Sequence, residues 1–425
     1  MKIVLQRSIV ACGLLMGVCG CARAPINVIW PFDTEIRWFA RPECSWDFTV
    51  QGEGAVNVKA YNDCKHSTNV LQLWQESVSS LAMIRGFPEN SYIGQVAAQL
   101  NGVPDDGIRG HMVPCGSMSE WDVQFAARYF FRYGVSLGAW LPVYSMSLHD
   151  ISWFDQTKSV TVEDLLTKSV LTNNFVQNVA TLSGSFGTFG KNQMNIGSSW
   201  RKTGFGDLAV ALGYARNFPQ YKELLRNVAI SAHAGLTFPT GLREDDHILM
   251  PIPYGSDGSM GGFFGLGVEL QWFSFLRGGV QADFWKIFGD KRHHRIKTDG
   301  TQSDLVLLAN VSTYTNWAVT RRYTLYGEIG DFERGYSFGV AYHYFNKGED
   351  SLVLSTNEFS SQIANDSMHE LLDWKLHDLT FMLSYNYCGN NLRYSPRIMI
   401  YFKNPFRGER VLAAKTFGVS IGFDF

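Results

Sequence analysis

The chain has 425 residues and a formal net charge of −2, so there is no bulk electrostatic case for a nucleic-acid partner. Only 18% of residues are charged, against about 25% in ordinary soluble domains, whereas 14% are aromatic and 41 are glycine. That balance suits many aromatic-rich strands carrying small residues on one face. After the first 21 residues no apolar run reaches the roughly 18 residues that a spanning helix needs.

The N-terminus reads as an export signal over residues 1–21. Lys2 and Arg7 form a basic start and Ile9 to Val18 a short apolar core. Val18-Cys-Gly-Cys21 has the form of a lipobox, which would make Cys21 the lipidated residue; a plain cleaved signal is the alternative. Beyond it lie Cys44, Cys64, Cys115 and Cys388, and export would let Cys44 pair with Cys64. No Cys-x-x-Cys or Cys/His zinc spacing occurs, so neither a metal nor a cofactor is expected.

Residues 22–105 read as an N-terminal segment that lies in the periplasm or plugs a downstream barrel. Within it Leu71, Trp74, Val78 and Leu81 keep helical spacing. Ile93, Val96, Ala97 and Leu100 resume it after Gly86-Phe-Pro88, which predicts helices at 70–85 and 91–101.

From 106 to 425 the period changes to two. In 334–346, Tyr336, Phe338, Val340, Tyr342 and Tyr344 oppose Ser337, Gly339, Ala341 and His343; in 412–425, Phe417, Val419, Ile421, Phe423 and Phe425 oppose Thr416, Gly418, Ser420, Gly422 and Asp424. Successive strand side chains point to opposite faces, so each segment has one apolar and one small or polar face. Twelve such strands are predicted, near 106–116, 119–131, 133–147, 203–216, 226–239, 261–274, 276–288, 321–331, 334–346, 376–388, 392–402 and 412–425; 46–60 would take the total to fourteen. Twelve is an even number, as single-chain bacterial barrels require, and strands of about 10 residues can cross a bilayer when tilted. Tyr214, Trp272, Tyr323, Tyr344 and Tyr387 sit near strand ends, where interfacial girdles belong.

If the last strand ends in the periplasm, connections on that side are short. Those at 148–202, 240–260, 289–320, 347–375 and 403–411 fall outside and are mostly long. Residues 303–316 then read as loop or as a strand extension beyond the membrane. Leu171, Phe175, Val179 and Leu182 predict an amphipathic helix in an outer loop, and His293-His294 in "GDKRHHRIK" reads as solvated basic loop.

The expected fold is therefore all-β: a transmembrane antiparallel up-and-down β-barrel in the bacterial outer membrane, with a small N-terminal helical element. Charged side chains facing lipid near the midplane cost about 2–4 kcal/mol for basic residues and less for acidic ones. His233, Glu269, Gln271, Gln281, Asp283, Glu328, His343 and Asp378 are accordingly expected to line the lumen. Water around Glu269, Asp283, Glu328 and Asp378 would favour cations; pairing with inward Arg or Lys would make a rigid plug instead. Ile421, Phe423 and Phe425 match a carboxy-terminal barrel assembly signal, which implies the outer-membrane assembly machinery as a partner besides lipid and a small solute.

"TGFGDLAVALGY" at 203–214 and "AGLTFPTG" at 234–241 together resemble a motif of the meta-pathway phenol-degradation type of outer-membrane transporters. The resemblance covers about 200–290 and implies a β-barrel that takes up small, often aromatic or hydrophobic compounds. Gly204, Gly206, Asp207 and Pro239 to Gly241 carry it. Their expected job is structural, with Gly allowing a tight turn and Asp bonding its own backbone nearby. His233 and His343 have no nucleophile motif beside them, so no enzyme is expected. The competing role is a structural or adhesive barrel acting through its long external loops.

Overall fold

A computed structural model describes residues 30, 46–100, 110–185, 194–387 and 395–425. Twelve antiparallel strands form the wall: β1 (Trp46–Ala55), β2 (His111–Phe130), β3 (Val135–Asp155), β4 (Leu208–Pro219), β5 (Leu225–Phe238), β6 (Gly261–Trp272), β7 (Leu276–Ile287), β8 (Val319–Asp331), β9 (Tyr336–Lys347), β10 (Trp374–Asn386), β11 (Ser395–Glu409) and β12 (Thr416–Asp424). Each pairs with its successor, and β12 pairs back onto β1, so the sheet closes and leaves no long edge. Val78–Ser79 and Trp200–Phe205 add two short strands at the rim of β2 and β3.

The count of twelve agrees with expectation, but the first strand does not. The barrel begins at Trp46, not at 106. The stretch expected as a separate strand at 106–116 is instead continuous with 119–131 as β2. Pro114-Cys-Gly116 looks like a break in sequence. In space it is a register shift in the β2–β3 ladder, where one strand carries an extra residue without leaving the sheet. β1 in turn hides its alternation, because Gly52 and Gly54 occupy outward positions. The indole of Trp121 on β2 covers Gly54 so closely that a Cβ there would fall 2.3 Å from the ring.

The outward faces are apolar and exposed, as Phe48, Val50, Phe125, Leu212, Leu266, Val268, Leu325, Leu383, Ile400 and Ile421 show. An exposed apolar belt running round a closed barrel would aggregate in water and is stable only against lipid. Aromatic pairs mark its borders. Trp46–Tyr129, Tyr129–Phe131, Phe273–Phe275 and Tyr336–Tyr385 stand at the end with short connections, and Phe264–Phe284 and Tyr323–Tyr344 stand toward the other. At the β12–β1 seam Asp424 lies directly opposite Asp47, a like-charge pairing that opposes closure. Arg397 contacts both carboxylates, and Arg128 donates to Asp47 at 2.9 Å, so inward cations offset the repulsion.

All the long connections emerge at the end away from Trp46 and Phe425. Their described parts, 56–100, 156–185 with 194–199, 239–260, 288–318 and 348–373, fold with the shorter 410–415 into one cap. Its core joins Val58, Leu71, Ile84, Ile93, Phe175, Leu249, Ile296, Leu305, Leu352 and Leu412 with Met118, Tyr144 and Met146 from the wall. Residues 56–100 thus belong to the first loop of the cap rather than to a separate unit preceding the barrel. The predicted helix at 70–85 is absent. Two 3₁₀ turns, Val70–Gln72 and Ala82–Ile84, flank the strand Val78–Ser79. Ser79 and Ser80 bond backbone groups locally and on the neighbouring chain segment, and so compete with helical bonds. The apolar residues at helical spacing are nonetheless buried in the cap.

The expected helix at 91–101 is present as α1 (Tyr92–Gln99), capped by Ser91. The outer loops hold α2 (Val162–Thr167), α3 (Phe175–Ser185), which carries three of the predicted amphipathic residues, and α4 (Ser361–Ser367). Asp290–Ile296, Ala309–Asn316 and Ser351–Leu354 form a small sheet outside the wall, which agrees with reading 303–316 as lying beyond the membrane. The basic stretch there is not solvated: His294 is buried 2.5 Å from Glu370, and buried Arg295 donates to the carbonyls of Leu307 and Leu308. Cys64 is exposed and free, while Cys21, Cys44 and Cys388 lie outside the described residues, as does the export signal.

Candidate functional site: the lumen wall and its cavity

The parity that sends Phe, Leu and Val outward sends a polar set inward. His233 on β5, Glu269, Gln271, Gln281 and Asp283 on β6 and β7, Glu328 on β8, His343 on β9 and Asp378 on β10 all lie on the inward face; Gln271 and Glu328 are half-buried and the other six are buried. They do not form one site. Asp283 is fully buried and engaged: Arg322 Nε donates to it at 2.9 Å, Gln281 Nε2 donates at 2.9 Å, and His233 Nε2 lies 3.2 Å away. This cluster bridges β5, β7 and β8 as a rigid inward brace, because a buried carboxylate is tolerable only when paired and hydrogen-bonded. Glu269 accepts from the Tyr326 hydroxyl at 2.9 Å, and His343 shares a bond with Thr324 at 2.9 Å.

A second cluster surrounds an internal cavity of about 120 Å³ under the cap. Lys403 on β11 donates to Glu53 on β1 at 2.6 and 2.7 Å, and the Tyr401 hydroxyl donates to Glu53 at 2.5 Å. Glu120 and Asp122 on β2, Asp378 on β10 and Arg322 on β8 also line it, interspersed with Trp30, Tyr144, Phe345, Leu376, Met382, Met399 and Leu412. Leu412 also belongs to the cap core, so the cap forms the cavity's ceiling. Trp30, from the segment that precedes β1, packs edge-on to Trp285 and Phe345, with the Arg322 guanidinium 4.8 Å from its ring.

The sequence reading missed Glu53, Glu120, Asp122, Arg322, Tyr401 and Lys403. The parity rule was sufficient to find them. Glu120 and Asp122 alternate with outward Trp121 and Val123, and Tyr401 and Lys403 with Ile400 and Phe402. Glu53 was hidden because β1 itself was not placed in the wall.

The Gly204–Asp207 and Pro239–Gly241 motif marks a break in the wall. β3 pairs with β4 up to Trp140 and with Trp200–Phe205 from Val143, and Gly206-Asp207 spans the interruption beside Pro142. The two halves of the motif meet there, since Thr240 Oγ1 donates to the Gly206 carbonyl and accepts from the Leu208 N–H, both at 2.9 Å. Asp207 does not bond its own backbone nearby. Its carboxylate takes the N–H of Gly241 at 3.0 Å and that of Ser256 at 2.6 Å, and also the Ser256 hydroxyl. Gly255, at φ +137°, presses on this carboxylate closely enough that a Cβ would fall 2.3 Å from it. Tyr254 from the same connection donates to the Lys202 carbonyl at 2.7 Å and accepts from the Met146 N–H at 3.2 Å. The connection 239–260 is thereby pinned into the break as part of the wall.

No family model matches this chain, and no curated protein matches it in sequence. Among solved structures it resembles an outer membrane channel from Pseudomonas putida F1 at a TM-score of 0.50. The two are 9% identical over 93% of this chain and 100% of that one. A looser likeness, at a TM-score of 0.34 and 13% identity over 89% of each chain, links it to a toluene transporter from Ralstonia pickettii. The closed twelve-strand barrel with its exposed apolar belt is an outer-membrane β-barrel, and its fold is similar to that of the Pseudomonas putida protein.

Proposed function

We propose that this protein is a passive outer-membrane channel for small, partly apolar solutes. The observation that carries the reading is the cavity inside the closed wall, lined by charged side chains together with aromatic and aliphatic ones. A barrel serving only to display loops needs no such internal space. The likeness in fold to a channel supports the same role. The cap core covers the lumen, so passage requires local parting of the cap, and the cavity sets the size of what passes. No reaction belongs to this reading. His233 is engaged with Asp283 and His343 with Thr324, all on strands whose backbone donors serve the ladder rather than an oxyanion. Phe425, Phe423 and Ile421 face outward and are exposed, and we assign them to recognition by the assembly machinery. Swelling of liposomes that carry the purified protein tests the channel. Small neutral solutes should enter at rates that fall steeply with molecular size, and swelling no faster than in protein-free liposomes would contradict it.

A further inference from the structure

The outward surface of the wall is not apolar throughout. At the cap end of β8 to β11, strand register sets basic and aromatic side chains side by side. Arg321 lies opposite Asn346, and Asn346 opposite Lys375. One step nearer the middle of the wall, Tyr323 lies opposite Tyr344, Tyr344 opposite His377, and His377 opposite Arg407. All are on the outward parity, whereas the adjacent Arg322, Leu376 and Asp378 are buried inward. Neighbouring strands are about 4.8 Å apart, so these residues form one continuous patch.

Its charges are unequally compensated. Asp63, Asp373 and Glu409 at this rim are met by Arg410, Lys375 and Lys65. His377 shares a bond with the Tyr342 hydroxyl at 2.7 Å. Arg321 and Arg407 are exposed, and among the described residues neither makes an ion pair. Arg321 only donates to the Asn346 side-chain carbonyl, at 3.4 Å. Two guanidinium groups thus stand open at the border of the apolar belt.

Beside the patch the belt is hollowed. Tyr214, Ala232, Leu266, Ala282 and Tyr323 stand at one level across β4 to β8. The two alanines leave a shallow groove of about 730 Å³ between the tyrosines, with an almost wholly apolar lining. Tyr323, at one end of the groove, is two positions from Arg321 on the same face, so groove and open cation adjoin.

A hydrocarbon chain suits the groove, and a guanidinium binds phosphate through paired N–H donors. The long connections mark this end as the outer side of the membrane. A soluble anion would gain nothing from the groove, and an uncharged lipid nothing from the arginines. We propose that this face seats a phosphorylated glycolipid of the outer leaflet, with a phosphate on Arg321, an acyl chain in the adjoining groove and a second phosphate toward Arg407. Three strand spacings, about 14 Å, separate the two arginines, which a disaccharide head group met by two long side chains can span. The seat lies outside the lumen and does not depend on the channel reading.

Native mass spectrometry of the full-length protein in detergent tests the seat. Diphosphoryl lipid A should be retained at least about tenfold more strongly than the same lipid stripped of both phosphates. R321Q/R407Q should lose that preference while keeping the heat-modifiable mobility of a folded barrel. A232F/A282F, which fills the groove and leaves the charges in place, should weaken retention of both lipids. K222Q, on the short connection at the opposite end, should leave retention as in the wild type. Equal retention of the two lipids, a preference unchanged in folded R321Q/R407Q, an equal loss in K222Q, or displacement by inorganic phosphate at the lipid's own concentration would overturn the proposal.

Discussion

Asp207 illustrates how a residue can be noticed in sequence for the right reason and assigned the wrong partners. Its place in Gly-Phe-Gly-Asp signals a turn, and turn aspartates usually bond nearby backbone. Here the bonded groups are Gly241 and Ser256, the latter 49 positions away, and only the folded wall brings them together. Asp207→Ala leaves buried donors without an acceptor, at about 1–3 kcal/mol each. The expected outcome is faster proteolytic cleavage within 239–260 while the barrel keeps its folded mobility on unboiled gels. Cleavage at the wild-type rate would show that the carboxylate does not pin the connection. The inward set was legible because one parity rule fixes every side chain on a strand once its phase is known. Which of those residues pair with one another was not, because pairing depends on register between strands.

At the scale of elements, long alternating segments such as β6, β9 and β10 were readable because an outward row of Phe, Leu, Val and Tyr leaves no other phase. β1 was not counted because two outward glycines interrupt the row and a neighbouring Trp121 fills the space. The stretch at 70–85 misled for the opposite reason. Its apolar spacing records burial in the cap, and its serines spend the backbone bonds elsewhere. The cap's attachment to the rim has its own electrostatics. Arg410 donates to Asp63 at 3.0 Å and to the Asp373 carbonyl at 2.6 Å and also contacts the Asp373 carboxylate, while Lys375 Nζ lies 2.8 Å from that carboxylate. Burial alone would raise the Asp373 carboxyl, but Lys375 and Arg410 outweigh it and hold the group below the usual carboxylate range. A carboxyl depressed on folding stabilises above its unfolded value of about 3.9 and loses that contribution as pH falls through the lower folded value. Backbone hydrogen exchange across 348–373 should therefore accelerate below about pH 4 relative to Asp373→Asn measured at the same pH, and the variant should exchange faster than wild type at neutral pH. Equal exchange in both proteins at neutral pH would show that Asp373 does not hold the cap to the rim.

For the whole molecule, composition and strand period were enough to reach a barrel, its strand number and the sorting of short from long connections. The joining of the connections at that end into one hydrophobic cap was out of reach, since its contacts run between loops far apart in sequence. That cap, together with Trp30 in the lumen, turns a pore outline into a cavity lined by charged and apolar side chains. The most direct test of the channel is planar-bilayer recording of the purified full-length chain under a potassium chloride gradient. Discrete conductance steps are expected, because the closed wall encloses a cavity. Protein that is heat-modifiable, and so folded, yet leaves the bilayer silent would contradict a channel.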